Sequence, residues 1–271
     1  MFWVLQQNLY NETAFEGLLN ALDRQDVKYE IVKLIPFIHE MSPDINVEGN
    51  VYVCGSTGIG KVAKKKGWVP GYFDKNLDYE NVMREYGEHC LNHRGVVTTM
   101  RNAEKLYEDP LQKFFTRPCA DNKSYSGQVM DWENFDEWRN KVVALEGEEN
   151  SLTTLQPDDR IVIAPLTTIY SETRFVVVDG EVVTGSLYKM GTKVWYSDEV
   201  MPFIQEFAQK MVDTWQPDRA FVIDIADTDE GPKVIEINAI NSSGFYNINM
   251  GKYVAAIEAM KFYEDITTMV G

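Results

Sequence analysis

The sequence predicts a mixed fold, with a small α/β domain over the first third and a larger α+β region behind it. Up to about residue 95, short apolar strands alternate with amphipathic helix patterns, as in a small parallel sheet with crossover helices. Beyond that point the strands come in hairpins with helices between them. The clearest hairpin runs from Arg174 to Leu187 and turns on Asp179-Gly180, a strong short-range hairpin signal. A length of 271 residues, 44% hydrophobic and 25% charged, is enough for a full core and for two domains.

Phe2 to Gln6 reads as the first strand. Glu12 to Arg24 follows as an amphipathic helix with Phe15, Leu18, Leu19 and Leu22 along one face, and Asn11 is its expected N-cap. Tyr29 to Pro36 and Asn50 to Cys54 are the next strands, and a helix runs through Val62 to Lys66. Past residue 95, Gln112 to Thr116 reads as a strand, Asn134 to Ala144 as a helix and Arg160 to Ala164 as a strand. The Arg174–Leu187 hairpin, a long helix from Asp198 to Trp215 and a strand pair over Phe221 to Asn238 come next. The strand pair turns on Asp229-Glu230-Gly231-Pro232, and a helix from Gly251 to Tyr263 closes the series.

Composition narrows the function classes. A formal net charge of −16 disfavours a nucleic-acid partner, because duplex affinity rests on neutralising phosphates. No stretch approaches the roughly 18 apolar residues that span a bilayer. The start, MFWVLQQNLYNE, lacks a basic n-region and a cleavage signature, and Cys54, Cys90 and Cys119 are odd in number and widely spaced. Reduced thiols and a cytoplasmic location are therefore expected.

Two motifs invite readings that their context does not support. Gly55-Ser56-Thr57-Gly58-Ile59-Gly60-Lys61 has the spacing of a phosphate-binding P-loop, but Val62 stands where the magnesium-binding hydroxyl belongs. A glycine-rich strand-to-helix turn is the simpler account. His89 and His93 are spaced as on one helical face, with no third ligand nearby, so a structural role is expected.

The informative segment is Val234 to Tyr246, VIEINAINSSGFY. Glu236 and Asn238 alternate along one strand and project from the same face, among Val, Ile and Ala. Asp224 sits centrally in a second apolar strand, AFVIDI. An acid in such surroundings is costly unless its charge is compensated. Three oxygen donors from two strands suit a hard cation such as magnesium, with phosphate oxygens and water completing its shell. Four cations at strand ends, Arg117, Lys123, Arg174 and Lys189, then favour a nucleotide site. Between the two sets, Ala164-Pro165-Leu166 offers a backbone stretch suited to hydrogen-bonding adenine.

With these residues in view, the chain resembles the ATP-grasp superfamily over Val96 to Gly271. The resemblance is strongest over Glu172 to Lys189 and Asp224 to Gly244. It implies an α+β ATP-grasp fold in which two lobes, about 96–165 and 166–271, grip ATP behind a small α/β domain of residues 1–95. It also implies that Asp224, Glu236 and Asn238 bind magnesium, that Arg174 and Lys189 contact phosphates, and that Glu172 lies near the ribose. Arg117 and Lys123 would serve the first lobe. Arg117-Pro118 stands where many members carry Lys-Pro, which places the chain with an arginine-bearing branch of bacterial and phage proteins. The Asn241-Ser242-Ser243-Gly244 loop is similar to the family's substrate-facing turn, which brings Asn241 into the expected catalytic set with Arg174 and Arg117. The implied activity is ATP- and Mg-dependent joining of a small-molecule or peptide carboxylate to an amine through an acyl phosphate. A kinase of the same geometry and a non-catalytic nucleotide-binding module are the alternatives. Neither substrate nor oligomeric state is legible.

Overall fold

A computed structural model describes residues 1–7, 12–35, 38, 40–120, 124–146 and 155–262. Its first elements are β1 (Phe2–Gln6), α1 (Glu12–Arg24), β2 (Tyr29–Ile35), β3 (Glu40–Ser42), β4 (Val51–Cys54), α2 (Thr57–Lys66), β5 (Pro70–Gly71) and α3 (Tyr79–Tyr86). There follow β6 (Val96–Thr99), β7 (Phe114–Pro118), β8 (Gln128–Met130), α4 (Trp132–Ala144) and β9 (Arg160–Ala164). The remainder is β10 (Ile169–Val178), β11 (Glu181–Met190), β12 (Lys193–Ser197), α5 (Pro202–Thr214), β13 (Ala220–Thr228), β14 (Lys233–Asn238) and α6 (Met250–Ala259). The fold is α+β, as the sequence predicts.

The chain forms two compact units. The first comprises the described parts of Met1–Lys75, Ser171–Ile225 and Ile237–Gly271. It contains a sheet in the order β3-β2-β1-β4-β5, with β1 parallel to β2 and β4, and β3 antiparallel to β2. A second sheet runs β12-β11-β10-β13-β14, and unit boundaries fall inside β10, β13 and β14. One hydrophobic core joins the two sheets in this unit. Trp3, Tyr52, Leu18 and Leu22 from the N-terminal part cluster with Val176, Val222, Phe245, Tyr253 and Ile257. The Trp3 ring packs edge-on to Tyr52 and Tyr253, and the Tyr52 and Tyr253 hydroxyls meet at 2.8 Å. This shared core groups the N-terminal sheet with residues 171–225, so the compact units follow contact, not chain order.

The second unit comprises the described parts of Asn76–Tyr170 and Ala226–Glu236, and its sheet runs β6-β9-β7-β8, antiparallel throughout. Its core gathers Met100, Phe114, Phe135, Val142, Leu155, Ile161 and Ile163. This unit takes in residues 76–95.

Several boundaries move for local reasons. Helix α2 begins at Thr57 instead of Val62, so the P-loop-like glycines Gly58 and Gly60 lie inside a helix. A Cβ on Gly58 would stand 2.5 Å from Leu34, and one on Gly60 2.8 Å from the Tyr72 ring. These glycines serve close packing. Strand β7 is displaced toward Pro118, which puts Arg117 within it. The expected helix from Asp198 starts at Pro202, because a turn at Gly191 (φ +57°) leads into the extra strand β12. The Asp179-Gly180 turn forms as expected, with φ of +48° and +88°. Asn11 and Pro36 lie outside the described residues, as does Tyr263 at the expected end of α6.

Candidate active site

Asp224 lies at the centre of β13 and is 1% exposed. The charge its surroundings require comes from Arg174 on the neighbouring strand β10. Arg174 Nε donates to Oδ1 at 2.8 Å and Nη2 donates to Oδ2 at 2.7 Å, a bidentate fork. Burial alone disfavours the guanidinium charge, but Asp224 outweighs it and Arg174 is held well above its usual pKa. The third nitrogen, Nη1, donates to the Gly244 carbonyl at 3.3 Å. The guanidinium carbon lies 4.9 Å from the centre of the Tyr246 ring and 5.8 Å from that of Tyr188.

Glu236 lies on β14, and its partner is Arg117 of β7. Arg117 Nη2 donates to Glu236 Oε2 at 3.1 Å, and Nη1 reaches the Ile235 carbonyl at 3.5 Å. The guanidinium lies over the Tyr79 ring at 3.8 Å. Tyr79 is fixed in turn by Asn92 Nδ2, which donates to its hydroxyl at 2.8 Å, and by Cys90 Sγ at 3.4 Å. Burial pushes the Tyr79 pKa well above its ordinary value, so the ring carries a neutral phenol. Arg117 Nε is buried with no acceptor among the described residues, and a donor in that position is costly to leave unpaired. Asn238 follows Glu236 on the same face of β14.

Glu172 on β10 accepts from two groups of β11, the Tyr188 hydroxyl at 2.8 Å and Lys189 Nζ. The Glu172 side chain is 12% exposed and that of Lys189 is 39% exposed, so this ion pair is open on the lysine side. Ala164 is the buried last residue of β9, and Leu166 is exposed in the irregular stretch that leads to β10. Lys123 lies outside the described residues. Asn241 is fully buried. Its Nδ2 donates to the carbonyls of Val53 and Gly71, and its Oδ1 accepts from the Phe73 N–H at 2.9 Å. Both ends of the carboxamide are thus held by backbone groups.

The chain matches, over residues 29–260, the model of an ATP-grasp domain family, the third family of its clade. It belongs to the ATP-grasp family. The comparison with curated proteins returned no match. Among solved structures, the chain is similar to the ATP-grasp ligase PsnB complexed with a minimal precursor, at TM-score 0.58 and 13% identity, covering 95% of this chain and 98% of that one. The D-cycloserine synthetase DcsG aligns at TM-score 0.59 and 12% identity, over 95% and 98%. D-alanine–D-alanine ligase from Bacillus anthracis, complexed with ATP, aligns at TM-score 0.60 and 14% identity, over 100% and 99%. At these identities the likeness is one of fold.

In this ATP-grasp chain two of the acids singled out from the sequence, Asp224 and Glu236, are opposed by arginines also singled out there, while Glu172 meets Lys189 and Tyr188. The carboxylates of Asp224 and Glu236 and the carboxamide of Asn238 are hard oxygen donors, the type that magnesium takes. Among the described residues no group of three or more His, Cys, Asp and Glu is placed to hold a metal ion. His89 ends a short 3-10 helix and Cys90 is extended, so His89 and His93 do not share a helical face. No helix among the described residues is long and apolar enough to cross a membrane. Sequence reasoning missed Tyr79, Tyr188 and Tyr246. The only signal available for Tyr246 was its place just after the Asn241–Gly244 loop.

Proposed function

We propose that the chain is an ATP- and magnesium-dependent ligase that joins a carboxylate to an amine through an acyl phosphate. The supporting observation is that the two acids on β13 and β14 are each opposed by an arginine, Asp224 by Arg174 and Glu236 by Arg117. With Asn238, these carboxylates offer the type of hard oxygen donor that a metal-bound triphosphate requires. Asp224, Glu236 and Asn238 would hold magnesium, which supplies charge neutralisation to the phosphates. Arg117, with a buried Nε donor left over, and Lys189, with its ammonium part-exposed, are the phosphate contacts proposed here, together with Lys123. Glu172 would lie toward the ribose, and the backbone of Ala164 to Leu166 toward adenine.

The chemistry then needs little beyond positioning and charge. A substrate carboxylate oxygen attacks the γ-phosphorus, the bond to the bridging oxygen breaks and ADP leaves. The amine nitrogen attacks the acyl carbon, inorganic phosphate departs and the amine loses a proton. Like PsnB with its precursor, or D-alanine–D-alanine ligase, the chain would take a peptide or a small carboxylate. Three buried cysteines, Cys54, Cys90 and Cys119, with no disulfide between them, suit a reducing compartment, so a cytoplasmic location is proposed.

The test is ADP release from Mg-ATP in pools of amino acids and small carboxylic acids with hydroxylamine present. Hydroxamate that disappears in Asn238→Ala supports the acyl phosphate and identifies the carboxylate. ADP accompanied by a stable phosphorylated product, without hydroxamate, would replace the ligase reading by a kinase.

A further inference from the structure

We infer that Arg174 is a positioning residue that ties the metal-ligand candidate Asp224 to the loop following β14, so that cation binding and loop order are coupled. This rests on the proposed function for the identity of the cation. The tie itself rests on geometry within one compact unit. All three guanidinium nitrogens are engaged, Nε and Nη2 by Asp224 and Nη1 by the Gly244 carbonyl. Only 9% of the side chain is exposed, which leaves no open edge for a phosphate. Arg117 differs, with a looser single bond to its acid and a donor to spare.

The loop end of the tie is built with care. Tyr246 holds φ at +49°, a left-handed conformation that a residue with a side chain adopts at a cost. That backbone turn stacks its ring against two others, Tyr188 at 4.7 Å and 17°, and Tyr196 at 5.4 Å and 26°. Arg174 lies against the same ring, so one cation fixes the acid on β13, the carbonyl of Gly244 and the ring of Tyr246. The Asn247 N–H, donating to Ser186 Oγ at 3.1 Å, anchors the far side of the loop. A shift of Asp224 toward a bound cation must pass through this guanidinium to Gly244 and Tyr246. Fixing the loop, equally, fixes the acid.

R174K separates this role from a phosphate contact, because lysine keeps the charge and lacks the planar fork. Three quantities are read on the full chain. They are Mn2+ affinity with AMPPNP present by electron paramagnetic resonance, AMPPNP affinity in EDTA, and amide exchange over residues 244–247. The expected result is about tenfold weaker Mn2+ binding and about tenfold faster loop exchange, with metal-free AMPPNP affinity unchanged. Wild-type values for both Mn2+ and loop exchange would overturn the inference. So would a tenfold loss of metal-free AMPPNP affinity with an unchanged loop, which would make Arg174 a phosphate contact. If the wild type binds no Mn2+ with AMPPNP, the proposed function fails, while faster or unchanged loop exchange in R174K still decides the tie. Should R174K not fold, the double variant R174Q/D224N, with two neutral amides in place of the pair, gives the same exchange comparison.

Discussion

Arg174 and Asp224 show why a buried charge pair is better evidence of function than of stability. Removing one partner leaves the other charged and dry, so Arg174→Met should cost about 3–5 kcal/mol of unfolding free energy. Replacing both, as R174M/D224L, should recover much of that loss, since an apolar pair carries no desolvation penalty. Urea denaturation of the three proteins checks this, and a double variant no more stable than the single one would contradict it. Cys119 gives a pH prediction at the same scale. Burial, followed by the nearby Asp78 and Glu80 carboxylates, pushes its thiol up to about 12. The folded state therefore holds this proton more tightly than the unfolded state, and the stability gained is present at neutral pH. It is lost as pH rises from the ordinary thiol range toward about 12. Melting temperatures measured from pH 8 to 11 should fall less steeply in Cys119→Ala than in wild type. At this scale the acids were legible in the sequence because each broke an apolar run, and the two arginines stood out as cations at strand ends. Which arginine meets which acid was not legible, since pairing across strands depends on sheet order, which no local pattern carries.

At the scale of elements, alternation and turn chemistry carried most of the reading. The Asp179-Gly180 hairpin forms because both central residues take positive φ, which aspartate tolerates and glycine accepts freely. The start of α2 was misjudged because glycines depress helix propensity, while here their missing side chains make room for Leu34 and Tyr72. Lys61→Ala should accordingly leave AMPPNP affinity within about twofold of wild type by calorimetry, as for an exposed helical lysine. A large loss would restore a phosphate-binding role to the loop. Gly60→Ala, by contrast, should destabilise by about 1–3 kcal/mol through overpacking against Tyr72. Strand β12 escaped notice because its exposed Val194, Trp195 and Tyr196 follow no inside–outside alternation.

At the scale of the whole molecule, the family and fold class were legible and the grouping of segments was not. A shared core between the N-terminal sheet and residues 171–225 is a long-range fact, set by rings such as Trp3, Tyr52 and Tyr253. Asn241 belongs to that scale as well. It joins the loop after β14 to the backbone at Val53, Gly71 and Phe73, while its own carbonyl accepts from Gly55 at 2.8 Å. Asn241→Ala strands those backbone groups and should cost about 2–4 kcal/mol. The proposed function makes Asp224, Glu236 and Asn238 the expected ligands of the nucleotide's magnesium, and one titration tests it most directly. Calorimetry of AMPPNP binding, with and without magnesium, is compared between wild type and Glu236→Gln. Binding that strengthens with magnesium in the wild type, and loses that gain in Glu236→Gln, is the predicted result. Equal affinities in all four titrations would contradict the account.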